Sequence, residues 1–562
     1  MTALLGAPMF VQSLQGWRRR LFLAFAGALS VLSLAPFHVW PILWITLPVL
    51  YFAVTRDPGA VPKTRRVFRW QNSSIGRAAE AGWWFGFGYH VVGLVWIAEA
   101  FLVEAEVFAW LIPVAVTGLP AGLAVFFALV GLVTSSVQDS GVLTRVLVFS
   151  LSLAGAEWLR GHILTGLPWN IIGYALTAPD ALMQSAGLVG IYGLTLIAAI
   201  VFVWPWAAAL DGGKAHARDH WQRGRVAVFS SALLLLLLHG YGWVRLGSAG
   251  TAHAAATSAV TVRVVQPSVP QREKWRPEHQ RTIFDLHKSL SLGASADAAV
   301  AQKAKLELIV WPEAAMPFFP LDQPVALQEL GDLLDERQVL ISGALRRERA
   351  LRPGERDRVF NSLLAFGHGE PAQLIGSYDK IHLVPFGEYL PFQRALEWVG
   401  LEQLTRLRGG FASAPWPRPA LSIHGLGLVV PLICYEAIFP AAIYAGSVRP
   451  RLLLNVTNDG WFGDTIGPRQ HFHQARVRSV EEGLPMIRAA NNGISAVTDG
   501  LGRVRARLGM NERGAFAVEL PNESYATPYS KYGDKIFFAM FMVLSLVAIG
   551  SRRRSNGIGS LS

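Results

Sequence analysis

Residues 426–436 read LGLVVPLICYE, an apolar run that ends in the single cysteine of the chain. The stretch Leu426 to Ile433 is continuously apolar, which is typical of a strand buried on both faces of a sheet. Cys434 then stands where the strand turns, and the following backbone N–H groups can point at a substrate carbonyl there. The cysteine is therefore a candidate nucleophile, and the alternative is an inert buried thiol that acts as a small hydrophobe.

A second apolar strand ends beside a glutamate. Residues 311–317 read WPEAAMP, so the strand Leu306 to Trp311 is predicted to run out at Pro312 and to present Glu313 at its C-terminal edge. A carboxylate at a rigid, partly desolvated strand end is well placed to act as a general base. The alternative is a solvated loop glutamate.

A third polar cluster carries a lysine. Residues 378–389 read YDKIHLVPFGEY, in which Lys380 can hold a fixed positive charge where an oxyanion develops, although a surface salt bridge is the simpler interpretation. A fourth cluster, residues 455–463 with the sequence NVTNDGWFG, offers many hydrogen-bond donors and is predicted to shape a pocket.

The clusters lie in a region with the strand and helix pattern of an α/β fold. Helix-like stretches at 271–290, 325–336 and 467–483 separate some of the apolar strands, which indicates a layered sheet. The predicted strands are 260–269, 306–311, 339–342, 362–366, 426–433, 452–456 and 494–497.

The rest of the chain has the composition of a membrane protein. Of 562 residues, 52% are hydrophobic and 16% charged, whereas soluble domains carry about 25% charged residues. Apolar runs of about twenty residues predict transmembrane helices, and the sequence contains eight candidates. They are 21–37, 41–55, 81–103, 107–135, 145–159, 181–210, 226–243 and 536–550.

Blocks of Lys and Arg predict the orientation, because short basic loops stay in the cytoplasm. Such blocks precede the first predicted helix at 18–20, follow the second and the sixth, and follow the last at 552–554. Both termini are then cytoplasmic, and the seventh helix delivers the following region to the periplasmic side of a bacterial inner membrane. The same blocks account for the net charge of +12, so we predict no nucleic-acid partner.

The predicted domain organisation follows from these runs. It comprises transmembrane helices 1–7 in residues 1–245, a linker at 246–258, the periplasmic catalytic domain at 259–520, a linker at 521–535, transmembrane helix 8 at 536–550 and a cytoplasmic tail at 551–562.

Glu313, Lys380 and Cys434, in that order and each at a strand end, resemble the Glu-Lys-Cys triad of the nitrilase superfamily, which implies an αββα sandwich from Val260 to about Leu520. With eight helices added, the whole chain is similar to the apolipoprotein N-acyltransferase family. Further matching motifs are EWLRG at 157–161, TGLPW at 165–169, VPFGE at 384–388, GWFGD at 460–464 and NNG at 491–493.

The resemblance implies a ping-pong acyl transfer. Cys434 would take an acyl chain from a membrane phospholipid as a thioester, and the N-terminal amine of a diacylglyceryl-cysteine apolipoprotein would then accept it. Glu313 would serve as general base and acid, and Lys380 would stabilise the oxyanion together with the Tyr435 N–H. The enzyme would complete bacterial lipoprotein maturation, without any cofactor.

The resemblance also implies supporting residues. Glu388 would orient Lys380 or tune its charge, Trp275 would lie at the substrate entrance, and Tyr435 and Glu436 follow the nucleophile as in the family. His471 and His473 lie two residues apart, but no further ligand cluster accompanies them in the sequence, so we predict no metal. Nothing in the chain demands an oligomer, and we predict a monomer.

The sequence leaves two questions open and makes one further prediction. A membrane-tethered amidase or nitrile hydrolase would use the same triad with water as the acceptor, and a transporter or binding scaffold would not use it at all. The aromatic-rich segment 383–407 is either a lid or membrane-dipping arm, or a segment packed inside the soluble domain. Glu157 and Arg160, three residues apart on one helical face, are predicted to pair within the membrane region.

Overall fold

The computed structural model describes residues 10, 13–55, 73–210, 217–252, 260–293, 304–350, 352, 355–392, 398, 410–441, 446–522 and 526–559. The chain divides into two compact units. A helical unit consists of residues 1–95, 110–248 and 528–562, and an α/β unit consists of residues 96–109 and 249–527.

The helices of the helical unit coincide with the apolar runs of the sequence. They are α1 Gly16–Ser30, α2 Leu43–Thr55, α3 Ser74–Gly93, α4 Ile112–Ser135, α5 Val142–His162, α6 Ala186–Leu210, α7 Ala217–Ala252 and a C-terminal helix Lys535–Gly559, with short helices at Asp180–Met183 and Pro528–Tyr532. Each of the eight predicted spans overlaps one of these long helices. The end of α7 at Ala252 also makes the first part of the predicted linker helical.

Five segments among the described residues are long and apolar enough to cross a membrane: 105–135, 142–162, 186–210, 221–248 and 535–553. The other three predicted spans fall on weaker helices for identifiable reasons. Helix α1 has 15 residues and carries three arginines, residues 18–20, near its N-terminus, and α2 has 13 residues. Helix α3 has 20 residues but carries Arg77 and Glu80.

The predicted third span, 81–103, is wrong at its C-terminal end. Helix α3 stops at Gly93, whose carbonyl accepts a 2.9 Å hydrogen bond from the Asn170 side-chain amide. A Cβ at Gly93 would lie 2.8 Å from that amide nitrogen, so glycine permits the close approach. The following residues form two short helices, Ile97–Leu102 and Ala105–Phe108, in the α/β unit. Apolarity alone does not reveal where a side-chain amide caps a helix.

The predicted pairing of Glu157 with Arg160 is confirmed, with 3.7 Å between their charged atoms. The carboxylate of Glu157 also accepts from the Ile172 N–H and the Thr195 hydroxyl, and Arg160 donates to the Leu167 carbonyl. A buried charge is tolerated when it is paired and hydrogen-bonded in this way.

The α/β unit is built on two six-stranded sheets. The strands are β1 Val260–Gln266, β2 Leu306–Met316, β3 Gln338–Glu348, β4 Arg358–Gly367, β5 Gln373–Asp379, β6 Leu421–Ile423, β7 Gly427–Ile433, β8 Leu452–Thr457, β9 Met486–Ala490, β10 Ser495–Thr498, β11 Val504–Leu508 and β12 Gly514–Glu519. The first sheet has the order β12-β1-β2-β3-β4-β5 and the second has the order β11-β10-β9-β8-β7-β6. The pairs β1–β2, β2–β3, β7–β8 and β8–β9 are parallel, and the other neighbours are antiparallel.

Apolar faces of the two sheets pack against each other, and helices cover the outer faces. The central core joins side chains such as Val310 and Leu363 from the first sheet to Val429 and Leu454 from the second. Helices α8 Gln280–Gly293 and α9 Pro324–Leu333 contribute to the core outside the first sheet, and α10 Gly467–Glu482 contributes to the core outside the second. The layers therefore run helix, sheet, sheet, helix, as the sequence predicts.

All seven predicted strands are present, and five further strands among the described residues were not predicted. Strand β5 was missed because most of its side chains are exposed, so it lacks an apolar run. Strand β9 was missed because Arg488 interrupts it. The other missed strands, β6, β11 and β12, are three to six residues long.

Strand β2 does not end at Pro312, as the sequence predicted, but continues through a bulge to Met316. Its register to β3 jumps from the pair Trp311–Ser342 to the pair Met316–Ala344, so the residues between, including Glu313, oppose Gly343 alone. A Cβ at Gly343 would lie 2.5 Å from the Glu313 Cα. The bulge, which carries Glu313, therefore depends on a glycine in the neighbouring strand.

We predict that Gly343→Ala lowers the midpoint of thermal unfolding of the detergent-purified chain, because the added methyl overlaps backbone and overpacking costs about 1–3 kcal/mol. The matched control is Gly376→Ala in β5, where a Cβ would make an ordinary 3.5 Å contact with the Leu421 side chain. Equal midpoints for the two variants would show that the bulge does not need this glycine.

Candidate active site

Cys434 occupies a strained elbow at the end of β7. It begins the 3-10 turn Cys434–Ile438 with a φ of +50°, a left-handed conformation that costs a non-glycine residue roughly 1–2 kcal/mol. The ring of His471 holds the elbow, with Nε2 3.1 Å from the Cys434 carbonyl oxygen. The strand-to-turn position expected from the sequence is therefore present, and the residue is buried.

The Cys434 thiol is protonated in the resting site. Burial raises its pKa well above the ordinary thiol value, and the charge of Glu313 raises it further. The charge of Lys380 and a hydrogen bond with the Thr457 hydroxyl act in the opposite direction but are weaker. A thiolate here needs a base that takes the proton as the reaction begins.

Glu313 and Lys380 lie together, as the sequence predicted for two members of one site. The ammonium nitrogen of Lys380 is 3.5 Å from Glu313 Oε1, and both side chains are buried. Burial opposes the charge of Lys380, but the carboxylates of Glu388 and Glu313 outweigh it and raise the pKa of the lysine. Lys380 therefore keeps its positive charge inside the protein.

Glu388 holds the other side of Lys380. Its carboxylate lies 3.0 Å from the lysine nitrogen and accepts a 2.8 Å bond from the Val384 N–H. Glu388 was expected to orient Lys380 or to tune its charge, and its position suits both roles.

Sequence reasoning missed Asn361, which links the two carboxylates. Its side-chain nitrogen donates to Glu313 Oε1 at 2.7 Å and to Glu388 Oε1 at 2.8 Å, and its main-chain carbonyl accepts from the Lys380 main-chain N–H. The available signal was a lone asparagine inside the apolar strand β4, since a buried amide requires hydrogen-bond partners.

Glu436, two residues after the cysteine, joins the elbow to the loop that carries Lys380. Its carboxylate accepts from the N–H groups of Ile433, Ile381 and His382 at 2.8 to 3.1 Å. Burial acts to raise the pKa of Glu436, but the Arg418 guanidinium 2.9 Å away and the Ile433 N–H hold it below the usual range. Glu436 is thus a charged anchor.

A second buried network lies behind the elbow. The ring of His471 places Nδ1 2.8 Å from Asp459, and Arg488 pairs with the same carboxylate. Burial opposes the charge of Asp459, yet Arg488 and His471 lower its pKa to about 2. Cys434, Asp459 and His471 also have donor atoms within 4.8 Å of one another. Both ring nitrogens of His471 already face protein oxygens, so the geometry favours a support for the elbow over a metal site.

The remaining predicted residues lie at the border of this site. Trp275 follows the short helix Gln271–Lys274 and exposes 39% of its surface, and Tyr435 is buried with its ring 5.1 Å from that of Phe439. Of the aromatic-rich segment 383–407, residues 393–397 and 399–407 lie outside the described residues. In the described part, Phe392 is exposed.

A thiol, a carboxylate and a buried ammonium are the groups that covalent acyl transfer requires: a nucleophile, a proton acceptor and a stabiliser of the oxyanion. Two family models match the chain, and they correspond to its two units except at residues 96–109, which the N-terminal model includes and which group with the α/β unit. The carbon-nitrogen hydrolase model matches residues 261–529, and the model of the apolipoprotein N-acyltransferase N-terminal domain matches residues 26–204.

Relatives named apolipoprotein N-acyltransferase match nearly the whole chain. The protein of Rhodopseudomonas palustris is 41% identical over 96% of both chains, and that of Brucella melitensis is 41% identical over 91% of both. The chain belongs to the apolipoprotein N-acyltransferase family. The predicted family is confirmed. The chain is therefore a membrane-bound acyltransferase of the nitrilase superfamily. The alternative of a transporter or binding scaffold is wrong.

We predict that Asn361→Leu slows alkylation of Cys434 by iodoacetamide roughly five- to hundredfold, because loss of a buried hydrogen-bonding partner costs about 1–3 kcal/mol and leaves Glu313 poorly oriented to take the thiol proton. Cys434 is the single cysteine, so mass spectrometry reports its modification directly. The control is Asn522→Leu, since Asn522 pairs with Arg451 outside this network. Equal rates in both variants would exclude a role for the Asn361 amide.

Proposed function

We propose that the chain transfers an acyl chain from a membrane phospholipid to the N-terminal amine of the diacylglyceryl-cysteine of apolipoproteins. The names of the relatives support the acceptor. The observation that carries the mechanism is the buried Cys434 beside the Glu313–Lys380 pair, whose charged atoms are 3.5 Å apart. This would be the last step of bacterial lipoprotein maturation.

In the first half-reaction, Glu313 accepts the thiol proton while Sγ of Cys434 attacks the ester carbonyl of the phospholipid. The carbonyl oxygen becomes an oxyanion that the Lys380 ammonium and the Tyr435 N–H stabilise. Collapse breaks the ester bond, and Glu313 returns the proton to the departing lysophospholipid oxygen. The acyl chain is then held as a thioester on Cys434.

In the second half-reaction, the lipoprotein amine attacks the thioester carbonyl. Glu313 removes the amine proton, and the oxyanion forms in the same place. Collapse releases the cysteine thiolate, which recovers the proton from Glu313. The result is an amide on the lipoprotein and a resting thiol, so no cofactor or metal takes part.

The other predicted residues support these steps in the proposed mechanism. Glu388 orients Lys380, Glu436 ties the nucleophile loop to the Lys380 loop, and Tyr435 supplies the N–H for the oxyanion. Trp275 lines the substrate entrance, where its exposed indole provides an apolar surface for lipid.

The proposed membrane arrangement has eight transmembrane helices, both termini in the cytoplasm and the catalytic domain, residues 259–520, on the periplasmic side of the inner membrane. The basic blocks at 18–20 and 552–554 support it, because such loops stay inside. The enzyme would act as a monomer. Helices α1, α2 and α3 would complete the eight spans despite their short or charged character.

The transfer is tested with purified protein in detergent, a phospholipid with a labelled acyl chain and a diacylglyceryl-cysteine peptide. We expect a hydroxylamine-sensitive adduct on Cys434 that forms without peptide, and label on the peptide amine after its addition. Cys434→Ala should give neither product.

The fate of the label separates the alternatives. Release as free fatty acid only, with the peptide unmodified, would identify a hydrolase that uses water as the acceptor. If the wild type forms no adduct and gives the same result as Cys434→Ala, Cys434 is not the nucleophile.

The orientation is tested in the Cys434→Ala background, which has no other cysteine. A membrane-impermeant maleimide should label Ser422→Cys, at an exposed position of β6, in intact spheroplasts. It should label Ser555→Cys, in the C-terminal tail, only after the membrane is permeabilised. Labelling of Ser555→Cys in intact spheroplasts would reverse the predicted side of the C-terminus.

A further inference from the structure

Lys274 is a second buried lysine beside Glu313, and the proposed mechanism does not use it. It ends the short helix Gln271–Lys274, and its Nζ donates a 2.8 Å hydrogen bond to the Glu313 main-chain carbonyl. Only 1% of its surface is exposed. The helix is anchored by Gln271, whose side-chain oxygen accepts a 2.7 Å bond from the Asn458 amide.

The hydrogen bond connects Lys274 to the bulged part of β2, which carries the proposed general base. An ammonium has three N–H groups, and the carbonyl uses one of them. Among the described residues no carboxylate lies within ion-pair distance of Nζ. A buried lysine is costly without a charged neighbour, so its charge must be compensated at longer range by the site itself.

Lys274 changes the net charge of the site. Glu313 and Glu388 contribute two negative charges and Lys380 contributes one positive charge, which leaves the set one negative charge in excess. A thiolate or an oxyanion added to that set would meet net repulsion. With Lys274 charged, the two carboxylates are balanced by two ammonium groups.

We propose that Lys274 is a positioning residue for the acyl-transfer site, which fixes the Glu313 bulge and supplies the second positive charge that makes a Cys434 thiolate accessible. The inference rests on the proposed function only for the identity of the reaction. Formation of the thiolate can be measured without lipid or lipoprotein.

The titratable groups that face Lys274 come from three elements. Burial lowers the pKa of Lys274 to about 8, and the charge of Glu313, together with that of Cys434 when it is a thiolate, partly opposes this shift. His287 of α8 is also nearby, but burial lowers its pKa to about 3, so it is neutral at working pH. Arg272 and Glu273, on the same short helix, are exposed.

The charge of Lys274 depends on pH near neutrality. The ordinary lysine pKa is 10.5, and the folded value is lower, so Lys274 loses its proton as the pH rises through about 8. Its assistance to the thiolate is present below that pH and is lost above it.

The rate of Cys434 alkylation by iodoacetamide is measured in the full-length protein in detergent, at pH values from 6 to 10. Lys274→Met removes both the charge and the hydrogen bond, and Lys274→Gln retains a neutral donor. Lys274→Arg retains a charge that does not titrate in this range. The unfolding temperature of each variant is measured in parallel.

We expect Lys274→Met and Lys274→Gln to react about tenfold more slowly than the wild type at pH 7, since a shift of one unit in the thiol pKa is tenfold in thiolate. The ratio should approach one above pH 9, where the wild-type lysine is neutral, and Lys274→Arg should restore the rate at pH 7 and remove the break near pH 8.

A rate ratio that is the same at every pH would overturn the charge role and leave Lys274 as a structural residue. Wild-type rates in Lys274→Gln at pH 7 would do the same. If the alkylation pattern is as expected but the labelled phospholipid gives no adduct, the proposed function fails and the role of Lys274 stands.

Discussion

The active site depends on a fixed position of its two sheets relative to each other. Glu313 belongs to β2 and Lys380 follows β5, both in the first sheet, whereas Cys434 follows β7 in the second. Hydrophobic packing between the sheets is not directional, so it cannot by itself set the distances among three reactive groups. Glu436 supplies the directional link, because one carboxylate accepts from the Ile433 N–H of one sheet and from the Ile381 N–H of the loop after the other.

That link requires buried charge, and several of the buried ions around the site face opposite charges. Arg418 pairs with Glu436, Arg488 pairs with Asp459, and Lys380 lies between two carboxylates. Buried ion pairs contribute little net stability, since desolvation offsets their attraction. Their value here is preorganisation: dipoles and charges that are already oriented need not reorganise when an oxyanion forms.

The sequence predicted the parts of this arrangement that depend on strand ends and missed those that depend on exceptions inside strands. Cys434 was placed correctly because β7 is a continuous apolar run that stops at the cysteine. Glu313 was expected after a strand, but it lies in a bulge, which becomes visible only once Gly343 is known to be its neighbour. Asn361 sits within β4 and Lys274 on a short helix, and neither position has a periodic signal.

The helical unit shows the same limit. Each of the eight apolar runs overlaps a long helix in the part of the chain that the structure describes, yet α3 ends where the amide of Asn170, a residue distant in the sequence, donates to the Gly93 carbonyl. Hydropathy reports transfer into lipid and carries no information on such caps. The prediction of domain bounds at 259 and 520 likewise could not anticipate that residues 96–109 group with the α/β unit.

The high pKa of the Cys434 thiol has a consequence for how the enzyme avoids side reactions. A standing thiolate is the form that oxidises and alkylates, and a periplasmic site would expose it to an oxidising compartment. Burial raises the pKa of the resting thiol, and in the proposed mechanism Glu313 takes its proton while Lys380 stabilises the charge on the substrate oxygen. The nucleophile would then be generated when an ester carbonyl occupies the site, which would couple reactivity to the arrival of the proposed acyl donor.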